Sequence, residues 1–467
     1  MEDLKKRILL IYPPSPVMNR EDRCQQPTKD LIVIPPLPPT DLMYLASIAE
    51  KEGLKAKIED YSQNGDFIQD LKEFRPDYLV VNIATPTLEH DLDAIKKAKE
   101  FNPEIVTIAK GAAFLMLGEK ILKEHAFLDY GILGEAEETL KEILEKKQPS
   151  DILGIYYREN NEVKFTGKRP FIEDLDNLPF PARHLVNNAI YRRPDNNKVQ
   201  ATIKVERGCP FHCFFCLATP VSGAKVRRRS AQNIVAEIRE CVEKYNIRNF
   251  LFWSDIFNLD KEWTMNLCQA IIDSGLKITW SANTRADTAD LEMAKLMYKS
   301  GCRLVSIGVE SGSQYMLEKM GKKITLDDVR RTVKVFKDAK IRIYNYFVIG
   351  LPWETEETIE DTIKFAIELD SDFISFYTAT PLPGSRFYDY AKEHNLFDKD
   401  TSFENAYFYP SVNTHTLSKD RVFELHKSAI KRFYLRPAYI FRMLTRIRSL
   451  AEVKNYFIAG MNVLLRR

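Results

Sequence analysis

At 467 residues, 45% of them hydrophobic, the chain is long enough for two or three domains with ordinary cores. Its 68 basic and 66 acidic side chains nearly cancel, which argues against a nucleic-acid partner. No apolar stretch is long enough to span a bilayer, and the charged start Met1-Glu-Asp-Leu-Lys-Lys-Arg7 does not read as a signal peptide, so a cytoplasmic protein is expected.

From residue 1 to 147 short apolar runs alternate with helical patterns. Strands are expected at 7–12, 54–61, 77–84, 105–109 and 130–133, and helices at 41–52, 67–74, 88–101, 117–124 and 135–146. That alternation argues for a doubly wound, Rossmann-like parallel sheet in an α/β protein. Such sheets bind ligands beyond the carboxyl ends of their strands. Here those ends carry Tyr12-Pro13-Pro-Ser15, Ala84-Thr85-Pro86, Gly111-Ala-Ala113 and Gly134-Glu135. The Pro-rich insert at 13–39 is long for a loop, a length typical of lids and binding segments.

Residues 148–197 read as a connector. Ile152-Leu-Gly-Ile-Tyr-Tyr157 and Val163-Lys-Phe165 flank a polar turn as a hairpin, and the Pro-stiffened run 171–181 sets a distance between domains. His184 in this connector is expected at a surface or interface.

From 198 to 384 six apolar runs follow, at 201–206, 249–254, 277–282, 304–309, 342–349 and 373–379. Helical patterns lie between them at 231–245, 262–274, 291–300, 326–339 and 356–369. Six β/α units are two short of a closed eight-fold barrel, so an open (β/α)6 partial TIM barrel is expected, with its chemistry at the strands' carboxyl ends. Directly after the first run comes Cys209-Pro-Phe-His-Cys213-Phe-Phe215-Cys216. Three thiols in eight residues at a strand's end can surround one inorganic centre. Iron–sulfur clusters are held by cysteine thiolates, usually four; with three, one iron stays open. A zinc knuckle and unconnected core thiols are the other readings, and zinc normally needs a fourth protein ligand. Seven cysteines with three clustered suit a reducing compartment; Cys24, Cys241, Cys268 and Cys302 read as buried or incidental thiols.

The C-x3-C-x2-C spacing, with Phe215 before the last cysteine, resembles the cluster loop of the radical S-adenosylmethionine (SAM) enzymes. The resemblance implies a [4Fe–4S] cluster on Cys209, Cys213 and Cys216 whose fourth iron is chelated by SAM, and reductive cleavage of SAM to a 5′-deoxyadenosyl radical. It also implies a low-potential electron donor, flavodoxin or ferredoxin. Carried along the barrel, it assigns Asp255 to SAM's ammonium group, Asn283 to the ribose, Arg285 to the carboxylate, Glu310 and Ser311 to the ribose segment, and Gly350 with Phe215 to the adenine. Each has a structural alternative, since Asp and Ser also cap helices and Gly350-Leu-Pro352 also makes a turn. The basic segment Lys225-Val-Arg-Arg-Arg229 either faces an anionic group or is a solvated loop. Tyr344, Tyr346 and Tyr377 are candidates for substrate contact or ordinary core.

Ahead of such a core, the Tyr12-Pro-Pro start, the Pro-Pro-Thr40-Asp-Leu-Met-Tyr-Leu45 segment and Gly134-Glu-Ala-Glu-Glu-Thr139 resemble the cobalamin-binding domain of cobalamin-dependent radical SAM enzymes. The cobalamin candidates implied are Tyr12, Pro13, Thr85, Gly111, Gly134 and Glu135. The D-x-H-x-x-G segment that carries a cobalt-ligating histidine in many cobalamin proteins is absent, and the usual Gly-Gly reads Gly111-Ala112. A domain that has lost its ligand is the alternative.

The tail, 385–467, is expected to be helical. From Lys427 it carries ten basic residues against the single acid Glu452, interleaved with aromatic and aliphatic side chains. Such helices either lie peripherally in an anionic membrane interface or cap the barrel. Phe433-Tyr-Leu-Arg-Pro437 resembles the tail of lipid-acting and porphyrin-acting relatives, and the loop Cys216-Leu-Ala-Thr-Pro-Val-Ser-Gly223 resembles the loop of hopanoid-associated and tetraether-associated members. Three functions follow: cobalamin-dependent C-methylation of an apolar small molecule or lipid; radical C–C bond formation or rearrangement without methyl transfer; and a zinc-binding scaffold.

Overall fold

The computed structural model describes residues 5–16, 18–21, 24–27, 37–63, 65–193, 197–397, 401, 403, 409–445, 453 and 460–461. The first sheet holds β1 (Arg7–Tyr12), β2 (Lys55–Asp60), β3 (Tyr78–Asn82), β4 (Val106–Lys110) and β5 (Tyr130–Ile132), all parallel, followed by β6 (Ile155–Glu159) and β7 (Glu162–Phe165). Its order is β2-β1-β3-β4-β5-β6-β7. The first five strands therefore have the flavodoxin-like doubly wound order, with its switch point between β1 and β3.

Strand alternation divides the core between two helical layers. Ile8, Leu10 and Tyr12 pack with helices Thr40–Lys51 and Glu137–Leu144, while Leu9 and Ile11 pack with Phe67–Phe74, Leu88–Phe101 and Phe114–Glu124. The hairpin read as part of the connector extends this sheet instead, because β6 pairs antiparallel with β5 from Tyr130↔Tyr157 to Ile132↔Ile155. The helix expected from 117 begins at Phe114, where the Phe114 and Leu117 amides find the Gly111 and Ala113 carbonyls.

The second sheet is β8 (Gln200–Lys204), β9 (Asn249–Trp253), β10 (Thr279–Thr284), β11 (Cys302–Glu310), β12 (Arg342–Ile349) and β13 (Phe373–Thr378), parallel and in chain order. Helices Ala231–Tyr245, Lys261–Asp273, Leu291–Lys299, Leu326–Asp338 and Glu356–Leu369 follow strands β8 to β12 in turn, completing the expected partial barrel.

The carboxyl ends of the first sheet meet the mouth of the barrel, and ion pairs join them. Arg207 pairs with Glu135 at 3.1 Å and Glu137 at 2.5 Å, and Lys204 with Glu21 at 3.0 Å. The basic segment is also spent on ion pairs: Arg227 pairs with Glu135 across the two domains, Lys225 with Glu173 of the connector, and Arg228 with Glu206 and Arg229 with Glu237 within the barrel. His184 is exposed and lies 2.9 Å from Glu50.

The described part of the tail caps the barrel. Helix Lys419–Tyr434 packs on β13, and Tyr434, Tyr439 and Met443 are buried in the barrel's core cluster. Arg436 and Arg442 pair with Asp370, and Arg432 with Glu360, so these three cations serve the cap. Arg446, Arg448, Lys454, Arg466 and Arg467 lie outside the described residues. Among the described residues no helix is long and apolar enough to cross a membrane.

Candidate active site

A chamber of about 320 Å³ opens inside the barrel, and Cys209, Cys213 and Cys216 line one end of it. The loop carrying them is fixed from both sides: the Cys209 amide donates to the Gly223 carbonyl, and the Phe214 amide to the Met320 carbonyl, each at 2.9 Å. All three cysteines are free of disulfides. Burial, with Cys213 beside it, pushes the Cys216 thiol up to about 12. His212 is exposed and does not line the chamber. Among the described residues no three or more His, Cys, Asp or Glu side chains converge on a single-ion position.

Period-two alternation decides what else faces inward. Phe250, Phe252, Val305, Ile307, Ile343 and Phe347 turn to the helices, whereas Leu251, Trp253, Ser281, Asn283, Leu304, Ser306 and Tyr344 line the chamber. Phe215, Asp255, Arg285 and Glu310 line it too. The fold thus gathers the cysteines and five of the SAM candidates around one space. Ser311 and Gly350 stand behind its wall. Ser311 Oγ is within 3.0 Å of Thr362 Oγ1, and the Gly350 amide donates to the buried Glu354 carboxylate. Arg285 is committed to protein partners: it donates to the Lys322 and Lys323 carbonyls, pairs with Asp287 at 2.7 Å and stacks 3.8 Å over Phe211.

Opposite the small Ser281, Ser306 and Gly308 stands an aromatic ladder. The Tyr344 and Tyr346 ring centroids are 4.6 Å apart, and those of Tyr346 and Tyr377 are 5.8 Å apart. Tyr346 donates to Ser306 Oγ at 3.1 Å, and the Tyr344 hydroxyl lies 2.5 Å from Ser375 Oγ. Asn19 and Leu37 from the Pro-rich insert also reach the chamber.

A second, polar cleft of about 80 Å³ separates the two sheets. It is lined by Asp41, Lys110, Gly134, Glu135 and Glu137 from the first domain and by Lys204, Glu206 and Arg207 from the barrel. Asp41 accepts from Tyr12 at 2.9 Å and pairs with Lys110 at 2.8 Å. Burial works against its ionisation, but Lys110 and Lys204 hold its carboxyl at about 2. Trp253 and Asp255 line both the cleft and the barrel chamber, so they form the wall between them. Of the remaining first-domain candidates, Tyr12 and Pro13 are buried at the end of β1. The Thr85 amide donates to Gln25 Oε1 at 2.9 Å. Gly111, at φ +148°, lies so close to the Ile83 carbonyl that a Cβ would fall 2.1 Å from its oxygen.

Comparison with known proteins agrees with this two-part architecture. The family model described as the radical SAM superfamily matches residues 203–366, and that of the B12 binding domain matches residues 35–144. An uncharacterized methyltransferase of Pyrococcus horikoshii is 30% identical over 433 residues, covering 89% of this chain and 94% of that protein. This chain belongs to the radical SAM superfamily and carries a B12-binding domain. An anaerobic magnesium-protoporphyrin IX monomethyl ester cyclase of Cereibacter sphaeroides is 24% identical over 420 residues, covering 86% of this chain and 68% of that one. The fold is shared with the cobalamin-dependent SAM radical enzyme OxsB at a TM-score of 0.76, 14% identity, 99% of this chain and 72% of that one.

The protein is therefore a radical SAM enzyme, and its cofactors are a [4Fe–4S] cluster, SAM and cobalamin; it needs a reductant and acts on a small molecule. The residues present fit these groups. Three thiols from one loop at one chamber wall match a cluster that leaves one iron for SAM. The carboxyl-end side of the first sheet fits the amide periphery of a corrinoid in its chemistry: Asn82 Oδ1, at the end of β3, and Gln25 Nε2 are buried without a partner, and in the cleft nothing lies within 4 Å of a Cβ added at Gly134.

Among the lining residues of this radical SAM chamber that sequence reasoning missed, two show why. Trp253 was legible in principle, since it follows Leu251 by two on one strand. Lys322 was not: in Met320-Gly-Lys-Lys323 it reads as one more solvated turn residue. It is in fact buried in the chamber, 2.5 Å from Glu310 Oε1.

Proposed function

We propose that this radical SAM enzyme methylates an unactivated carbon of an apolar small molecule, of lipid or isoprenoid class, with cobalamin as methyl carrier. The observation that carries this reading is the shared wall: a substrate held against Trp253 and Asp255 borders both the SAM chamber and the cobalamin-domain cleft. Bound there, the cluster and SAM supply hydrogen abstraction and cobalamin supplies methyl transfer, chemistry that belongs to the cofactors.

The chain's own residues supply placement. Cys209, Cys213 and Cys216 hold three irons. Asn283 and Glu310 offer polar atoms to the ribose, Asp255 offers a carboxylate to the ammonium, and Phe215 an apolar face to the adenine. Tyr344, Tyr346, Tyr377, Leu251 and Leu304 form an apolar surface that favours a hydrocarbon body and excludes water. The rim candidates Tyr12, Pro13, Thr85, Gly111, Gly134 and Glu135 belong to the cobalamin side; Glu135 acts there mainly by pairing with Arg207 and Arg227.

The reaction balances with an outside electron source. One C–H bond, two SAM cations and two electrons give the C–CH₃ product, S-adenosylhomocysteine, 5′-deoxyadenosine and methionine. A flavodoxin or ferredoxin would deliver those electrons. Peripheral membrane contact is part of the proposal, supported by Ile440, Phe441 and Leu444, which are 43, 71 and 62% exposed on one short helix.

The test is anaerobic incubation of the reconstituted enzyme with methyl-labelled SAM, titanium(III) citrate and an isoprenoid lipid extract. Label in the lipid phase, with S-adenosylhomocysteine and 5′-deoxyadenosine in equal amounts, is expected. Deoxyadenosine without S-adenosylhomocysteine would replace methylation by bond formation or rearrangement.

A further inference from the structure

We infer that the outer face of the cysteine loop is where the reductant docks, that the reductant is a small acidic protein with a low-potential one-electron centre, and that Lys319 and Arg386 receive it. The inference rests on the radical SAM assignment and is independent of what the enzyme methylates.

Consecutive residues of the loop face opposite ways. Phe215 lines the chamber, whereas Phe214 is buried in a separate apolar cluster with Met316, Met320, Leu351 and Phe387. Two backbone bonds clamp it there: its amide donates to the Met320 carbonyl, and its carbonyl accepts the Phe387 amide, each at 2.9 Å. From Phe214 a run of rings leads outward. Its centroid is 4.7 Å from that of Trp353 and 5.6 Å from that of Tyr390, and those two are 5.1 Å apart. Tyr390 in turn meets the exposed His394 at 4.0 Å, and its hydroxyl lies 2.8 Å from Nε2 of the exposed His415.

The Phe214, Trp353 and Tyr390 spacings are those of aromatic rings in contact. Packed atoms therefore lead from exposed side chains to the residue that sits between Cys213 and Cys216. Electron transfer falls steeply with separation, and more steeply across water than across packed atoms. A carrier seated over these rings approaches the cluster loop from the side away from the chamber, so it does not compete with SAM or substrate for space. The rings serve as packed medium and keep their oxidation state. In each encounter the carrier loses one electron and the cluster gains one, and no bond forms or breaks.

Two cations stand beside this ring surface. Lys319 Nζ lies 5.6 Å from the Trp353 ring centroid and 5.5 Å from that of Tyr315, which is 50% exposed. Arg386 donates to the His212 carbonyl, inside the cysteine loop, at 3.3 Å. Both side chains are exposed, and among the described residues neither pairs with a carboxylate, although Glu318, Asp389 and Glu393 are exposed on the same two helices. Exposed cations elsewhere are taken: Lys97 pairs with Asp93, Arg330 with Glu368 and Lys334 with Asp338. Electron-transfer encounters bury little area, less than about 1,200 Å² in total. Charges at the rim of such a contact steer the encounter and fix its register, and unpaired cations select an acidic partner.

The test is the affinity of the anaerobically reconstituted enzyme for an acidic flavodoxin and for a ferredoxin, each oxidised, measured by thermophoresis at low ionic strength. The rate of 5′-deoxyadenosine formation without methyl acceptor is the second readout. The double variant Lys319→Glu, Arg386→Glu should bind at least one carrier tenfold more weakly and cleave SAM more slowly with that carrier. With titanium(III) citrate, which needs no docking, its rate should stay within twofold of wild type. Added salt should weaken the wild-type complex, since exposed charges are screened. Undiminished binding by the double variant, an equal loss of rate with titanium(III) citrate, or no binding of either carrier by the wild-type enzyme would overturn the inference. Arg386 also holds the His212 carbonyl, so if the double variant retains no iron, Lys319→Glu decides alone. Binding at least threefold weaker then supports the inference, and anything less overturns it. Failure of the wild-type enzyme to form deoxyadenosine with titanium(III) citrate would instead refute the family-level chemistry, and the inference with it.

Discussion

Arg20 holds Asp91 through both ends of its guanidinium, at 2.8 and 2.9 Å, with both side chains fully buried. Arg20 belongs to the short hairpin Met18–Glu21/Cys24–Pro27, and Asp91 to the helix after β3. Arg20 also donates to the Asn82 carbonyl at 2.9 Å, and Asp91 accepts the Ala84 amide at 2.8 Å. The pair therefore pins the Pro-rich insert across the switch point between β1 and β3, beside the cleft assigned to cobalamin. Removing one partner of a buried pair leaves the other charge uncompensated, typically at a cost of about 3–5 kcal/mol. Asp91→Ala should lose stability of that order in urea unfolding and take up less hydroxocobalamin at equilibrium. A loss below about 1 kcal/mol would show that the hairpin is not anchored here.

Cys213→Ala should abolish reductive cleavage of SAM with little effect on the fold. Cys213 is only half-buried and belongs to no apolar cluster. Chromatography of 5′-deoxyadenosine and far-ultraviolet circular dichroism measure the two halves of the expectation. Undiminished deoxyadenosine would remove Cys213 from the cluster.

Much of this architecture is legible in local chemistry. Helices Phe67–Phe74, Leu88–Phe101, Ala231–Tyr245 and Glu356–Leu369 lie where the pattern places them, and Asp66, Ser230 and Thr355 cap three of them. The cysteine loop, Asp255, Asn283 and Glu310 meet because parallel strands bring their carboxyl ends to one rim. What the sequence leaves dark depends on long-range partners. Lys322 is buried only because Glu310, twelve residues earlier, faces it. The basic segment 225–229 looks like an anion site until its carboxylates arrive from Glu135, Glu173, Glu206 and Glu237. The hairpin at 155–165 reads as a linker because nothing local reveals that β5 has an open edge.

Glu354 makes stability fall with rising pH. It is fully buried, accepts the Gly350 and Leu351 amides, and has no cationic partner among the described residues. Burial drives its carboxyl up to about 8, against the two amide hydrogen bonds. A carboxyl with a raised folded value holds its proton better in the folded state, so its contribution is complete below the unfolded value and is lost as pH rises through about 8. Each unit of difference is worth about 1.4 kcal/mol. Between about pH 5 and about pH 9 the wild-type chain should therefore lose a few kcal/mol relative to Glu354→Gln. Parallel slopes for the two proteins in urea titrations would sink this assignment.

The short helix Pro437–Leu444 separates its two possible tasks by face. Tyr439 and Met443 are buried against the barrel, and Tyr439 donates to the Asp372 carbonyl at 2.9 Å. Deleting the tail from Pro437 would therefore damage the cap and any membrane contact together. Phe441 and Leu444 point outward, and replacing both with Asp leaves the cap's partners in place. Burying an aromatic or leucine side chain is worth about 1.5–3 kcal/mol. The double variant should therefore bind anionic vesicles at least tenfold more weakly while melting within a few degrees of wild type. Unchanged vesicle sedimentation would leave this helix as a barrel cap alone, since its remaining cations Arg436 and Arg442 are already paired with Asp370.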